Sequence, residues 1–132
     1  MKTKLLLATI FTTATLLSGC NKDDLNIKDG TYKGTFTVTY SSGTQTGLTT
    51  LELKNGRYTC SGNSNRIPAG GSGTFSSDNT KMNFNDENVW TADFDWNLIL
   101  DGMYDCSFDG KRLILTASKN GAGTYKYDLE RQ

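Results

Sequence analysis

The sequence predicts an all-β domain, an eight-stranded antiparallel up-and-down barrel, on three observations. Residues Thr31 to Tyr40 alternate without a miss between one face of Tyr32, Gly34, Phe36, Val38 and Tyr40 and another rich in threonine. The dipeptides Asn55-Gly56, Asp109-Gly110 and Asn120-Gly121 punctuate further alternating runs as hairpin turns do. Past Cys20, no stretch carries the 3.6-residue period of a long amphipathic helix. The chain of 132 residues has room for one domain with one core, and its single proline and 14 glycines suit strands joined by tight turns. We divide it into a targeting segment (1–19), a polar tether (20–29) and the barrel (30–132).

The first element is not part of the fold. Lys2 and Lys4 precede a mostly apolar run from Leu5 to Leu17, the order of a secretory signal. Leu17-Ser18-Gly19-Cys20 resembles the lipobox of bacterial lipoproteins, which implies cleavage before Cys20 and lipidation of its sulfur. The run is shorter than the ~20 apolar residues of a membrane-spanning helix. Acyl chains contribute about 0.8 kcal/mol per buried CH₂, so the two or three of a lipoprotein anchor the chain through lipid. Asn21 is followed by Lys22, Asp23 and Asp24, which resemble the surface-export signal of Bacteroidota lipoproteins. That resemblance implies an outer-membrane lipoprotein displayed on the cell surface, and a plain solvated tether on a periplasm-facing protein is the alternative.

The strands follow in order. After Ser41-Ser42-Gly43 a second strand runs to Lys54. An Asn55-Gly56 turn then sets Lys54 opposite Arg57, Leu53 opposite Tyr58 and Leu51 opposite Cys60, with Cys60 pointing inward. Residues 61–72 read as a long Gly/Ser/Asn loop around Pro68. Residues 73–76 and 81–85 form a hairpin about Asp78-Asn79. Residues 86–95 break the alternation and suit one helical turn, a plug with Trp90 and Phe94 facing inward. A continuous strand is expected from Trp96 to Phe108, bent at Gly102, with Trp96, Leu98, Leu100, Tyr104 and Cys106 on one face. An Asp109-Gly110 turn would pair Cys106 with Leu113 and Tyr104 with Leu115. The final strand turns Tyr125, Tyr127 and Leu129 inward. Closing the eight strands into a barrel removes their exposed edges.

Gly30-Thr31-Tyr32 and the closing run from Tyr125 to Arg131 resemble the lipocalin-like or calycin-like barrels of Bacteroidota lipoproteins. Calycins carry Gly-x-Trp at the first position, with a basic residue from the barrel's end over the indole. The resemblance therefore implies Arg131 stacked on Tyr32, which stands where the tryptophan would; a terminal arginine in water is the other reading. An immunoglobulin-like sandwich is the alternative fold, because Tyr104 precedes Cys106 as in a tyrosine corner. No tryptophan follows Cys60 at the distance that fold requires.

Composition narrows the chemistry. The chain has no histidine, which removes the usual proton shuttle, serine-activating base and commonest zinc ligand. Removing Lys2 and Lys4 from the 14 basic residues leaves the mature part about two charges negative, without the clustered positive field that nucleic acid requires. Cys60 and Cys106 are either a disulfide pair or two buried free thiols. Asp86, Glu87, Asp93 and Asp95 lack the order of a calcium loop, so no metal and no cofactor is expected. Tyr32, Phe36, Tyr58, Trp96, Tyr104, Tyr125, Tyr127 and Arg131 are the expected interior, lining a ligand pocket or filling the core. The expectation is a non-catalytic, lipid-anchored envelope protein that binds a small apolar ligand or an envelope macromolecule. The alternative is a structural or accessory surface lipoprotein with a filled barrel that acts through protein–protein contacts. The membrane, through the lipid on Cys20, is the one partner common to both.

Overall fold

The computed structural model describes residues 25–119 and 121–132; the signal segment, Cys20, Lys22, Asp23, Asp24 and Asn120 lie outside the described residues. Eight antiparallel strands, β1 (Gly30–Tyr40), β2 (Gly43–Lys54), β3 (Arg57–Cys60), β4 (Gly71–Ser77), β5 (Lys81–Asp86), β6 (Gly102–Phe108), β7 (Arg112–Lys119) and β8 (Gly123–Arg131), close into an up-and-down barrel in sequence order. Closure is the pairing of β1 with β8, where Tyr32 faces Arg131 and Phe36 faces Tyr127. No second sheet exists among the described residues, and the sandwich alternative is thereby overturned.

Local chemistry sets most of the register. Asn55 (φ 51°) and Gly56 (φ 75°) both occupy the left-handed region, the geometry that matches the twist of the flanking strands. Lys54 accordingly faces Arg57, Leu53 faces Tyr58 and Leu51 faces Cys60, as the sequence predicts. Asp78 Oδ1 accepts from the backbone N–H groups of Thr80 and Lys81 and fixes the β4–β5 hairpin.

Four expectations need correction. The turn after β6 is longer than Asp109-Gly110 alone. Asp109 Oδ1 accepts from the N–H groups of Lys111 and Arg112, which draws Lys111 into the loop. Phe108 therefore faces Leu113, and Cys106 faces Leu115 rather than Leu113. The shift is two residues, so every side chain keeps its face, and Tyr104 and Leu115 are fully buried.

The continuous strand from Trp96 does not form either. Asp95 caps a short 3-10 helix, Trp96–Leu98, by accepting from the Asn97 N–H, and Gly102, at φ 86°, starts β6 afresh. The helical turn predicted within 86–95 is absent; the one helical turn among the described residues lies just beyond it.

The fourth correction concerns the loop before β4, which is shorter than predicted: pairing resumes at Gly71, opposite Cys60.

The two ends of the barrel differ. One carries the tether, the β2–β3, β4–β5 and β6–β7 hairpins and the C-terminus. The other carries the β1–β2 and β7–β8 hairpins and the long segments 61–70 and 87–101.

Candidate functional site

Inward parity delivers the predicted aromatic residues to the lumen. Tyr32, Phe36, Tyr104, Tyr125 and Tyr127 are fully buried and Tyr58 nearly so. Their rings form a connected file from β1 to β3. Phe36 lies 4.7 Å from Tyr127 between ring centroids, Tyr127 5.8 Å from Tyr104, Tyr104 5.9 Å from Phe84, and Phe84 4.9 Å from Tyr58. Those are contact separations for tilted and edge-on rings, so side chains fill this path across the barrel. Two polar atoms sit in it without a partner among the described residues, the hydroxyls of Tyr104 and Tyr127.

The end away from the tether is closed by the two long segments acting together. Ala69 N–H donates to Leu98 O (2.9 Å), and Leu100 N–H donates to Gly70 O (2.8 Å). Arg66 joins the same two segments at the surface, paired with Asp93 at 3.0 Å and lying 4.4 Å from the centre of the Phe94 ring. Leu98 and Leu100 are buried, and the Leu100 carbonyl accepts from the Tyr58 hydroxyl at 2.6 Å. The plug is thus real, but its inward residues are Leu98 and Leu100, which join the core, while Ile99 is buried beneath the outer cleft. Trp90 and Phe94 are half-buried and pack on each other edge-on at 5.8 Å.

Asp95 latches this cap to the barrel. Its Oδ2 accepts from the hydroxyls of Tyr40 and Tyr125, both at 2.9 Å, while Oδ1 accepts from Asn97. Burial alone would raise the Asp95 carboxyl, but the Asn97 N–H and the two phenols outweigh it and hold the group below its ordinary value. Tyr40 is pushed up to about 12, by burial first and by the Asp95 carboxylate second. Lys119 lies beside them, 5.1 Å from the Tyr104 ring centre and 5.5 Å from that of Tyr125, and donates to Asp101 O at 3.1 Å. Burial lowers its affinity for a proton.

Because the native carboxyl is more acidic than the unfolded one, its contribution is fully present above the ordinary aspartate value and is lost as pH falls through the lowered native value. Asp95→Asn is therefore expected to cost about 1 to 3 kcal/mol at pH 7 and markedly less at pH 3, measured by urea unfolding against the parent chain. An equal cost at both pH values would remove the charge from the latch.

The remaining predicted residues divide. Trp96 is not interior: it is 56% exposed, on the 3-10 turn, and its indole N–H donates to Thr91 O at 2.9 Å. Arg131 is half-buried beside Tyr32, but the guanidinium donates to Asp29 O at 3.0 Å. The cation–ring contacts among the described residues belong to Arg66 and Lys119, so the stack of Arg131 on Tyr32 is not formed. Cys60 and Cys106 are free thiols, and the disulfide reading is set aside. Burial raises Cys60 to about 11 and Cys106 to about 12, so both stay protonated and poorly nucleophilic at neutral pH. The loop acids do not converge: Asp86 bonds Trp90, Glu87 pairs with Arg57, Asp93 with Arg66, and Asp95 holds the two phenols.

Outside the cap lies a cleft of about 210 Å³ lined by Asp86, Asn88, Trp90, Trp96, Ile99 and Asp101. Asp86 organises it, accepting from the Ser72 N–H (2.9 Å), the Asn88 amide (2.6 Å) and the Trp90 indole (2.6 Å). Sequence reasoning assigned both tryptophans to the interior and missed this cleft, because the hydrogen bonds that turn them outward come from side chains and loop carbonyls that periodicity does not encode. No protein-family model matches the chain, and neither the curated proteins nor the solved structures give a significant match.

Proposed function

We propose that the chain is a non-catalytic, lipid-anchored envelope lipoprotein of the lipocalin-like or calycin-like type. It binds an envelope macromolecule through its capped end rather than an apolar ligand in its lumen. The observation that carries this reading is the file of rings from Phe36 to Tyr58, which leaves its path across the lumen to the protein's own side chains. Orientation supports it. Ile27 packs on the core, Tyr32 Oη donates to Lys28 O, and Asn55 N–H donates to Asp29 Oδ2 at 3.0 Å, so the tether leaves from the end opposite the cap. From Leu25 back to Cys20 the chain reaches at most about 18 Å. A lipid on Cys20 therefore keeps the tether end near the membrane and presents the cap outward, on the cell surface if the run Lys22-Asp23-Asp24 acts as an export signal.

A second reading, a small molecule inside the barrel, is favoured by the unpartnered hydroxyls of Tyr104 and Tyr127. Native mass spectrometry of the mature protein from its own host separates the two. The expected result is the mass of the acylated chain alone. A retained molecule of a few hundred daltons would overturn the filled-barrel reading.

A further inference from the structure

We infer that the Trp90–Trp96 cleft is a carbohydrate-binding site for the pyranose rings of a neutral polysaccharide. The inference rests on the proposed function above and names its macromolecule.

The first ground is the state of Trp96. A large aromatic side chain left 56% exposed forgoes most of its burial energy, and its orientation is fixed all the same by the bond from Nε1 to Thr91 O. The polar edge is occupied and the apolar ring stays accessible. Trp90 is fixed in the same manner by Asp86, so two indoles with immobilised edges border one hollow.

The second ground is what stands between them. Asp86 and Asp101 are acceptors, while the Asn88 side-chain amide is spent on Asp86 Oδ1 (2.6 Å) and Ser72 Oγ (3.0 Å), so the polar groups facing a ligand are carboxylate acceptors. Asp86 is committed to holding Ser72, Asn88 and Trp90, whereas Asp101 uses Oδ1 on the Asp86 N–H, and its Oδ2 has no partner among the described residues. A ligand that suits this surface must offer an apolar face to an indole and hydroxyl donors at its rim. A pyranose has that division: axial C–H groups on one face and equatorial hydroxyls around the edge. The two carboxylates disfavour uronic acids, sulfated sugars and phosphate headgroups.

Position is the third ground. The cleft borders the capping segment 87–101, on the opposite end of the barrel from the tether, where a lipid-anchored chain would meet extracellular polymer rather than its own bilayer. Three further hollows, of about 430, 440 and 530 Å³, are larger but contain no aromatic ring.

The chain's two tryptophans both border this cleft, so intrinsic indole fluorescence reports on it alone. The test titrates the mature acylated protein in detergent with cellohexaose, maltohexaose, mannohexaose and xylohexaose, and with trigalacturonate as the anionic control. At least one neutral hexasaccharide is expected to shift or quench the emission saturably, and trigalacturonate is not. Trp96→Ala is expected to weaken that binding at least tenfold with the melting temperature unchanged, while Trp96→Phe retains most of it. The alanine variant is followed by calorimetry, since only Trp90 then remains to emit. No saturable response to any neutral sugar at millimolar concentration, or undiminished affinity in Trp96→Ala, overturns the carbohydrate site. Such a failure leaves the capped-end reading standing, because that reading falls only to a ligand retained in the barrel.

Discussion

Gly34→Ala is expected to destabilise the barrel by about 3 kcal/mol, at the upper end of the cost of overfilling a packed site. Gly34 lies on β1 between Tyr32 and Phe36, opposite Leu129 on the strand that closes the barrel. A Cβ built there falls within contact of the Asp128 carbonyl oxygen and only 3.0 Å from Leu129 Cα. Both are backbone atoms of β8, so no side-chain rotation relieves the overlap and the β1–β8 seam itself must open. The loss is a large part of the 5 to 15 kcal/mol that holds a small domain folded. It would be read as a lower urea midpoint and as accelerated amide exchange along β1 and β8. A cost below about 1 kcal/mol would mean that the two strands separate at this point with little resistance, and the account of the seam would fail.

Phe84→Ala carries the second large effect, a loss of about 3 to 5 kcal/mol. Phe84 is 1% exposed and joins Tyr104 to Tyr58 in the ring file, 4.9 Å from Tyr58, 5.9 Å from Tyr104 and 6.3 Å from Phe75. Removing the ring forfeits its transfer energy and leaves a void whose walls, Tyr58 and Tyr104, are held from other strands and cannot collapse into it. The parent and variant chains should unfold with the same dependence on urea and different midpoints. A variant within about 1 kcal/mol of the parent would show that the lumen is loosely occupied and would favour a bound small molecule in its place.

Both effects arise where short-range pattern and long-range packing meet, and the two were unequally legible in the sequence. Period-two alternation fixed which face of each strand is buried, and Tyr32, Phe36, Tyr58, Tyr104, Tyr125 and Tyr127 all lie where parity puts them. Asn55-Gly56 fixed a register because both residues tolerate the left-handed backbone the turn demands. At Asp109 the same kind of reasoning went two residues astray: the Asp side chain bonded the N–H groups of Lys111 and Arg112, and a dipeptide rule does not include that bond.

The cap and the cleft were decided elsewhere. Asp95 reaches Tyr40 across 55 positions and Tyr125 across 30, so the bonds that latch the 3-10 turn to the barrel exist only once the barrel has closed. Trp96 has the apolar character and the parity of a core residue, and the sequence places it there. In the fold it is the residue after the Asp95 N-cap, Leu98 and Leu100 take the interior, and its indole is left outside. Alternation is a property of neighbours along the chain and so determined by itself which face of each strand is buried; closure into a barrel rather than a sandwich came from the pairing of β1 with β8. What closes the barrel's mouth, and what is left facing outward beside it, depends on contacts between residues distant in sequence, and only the tertiary structure supplies those.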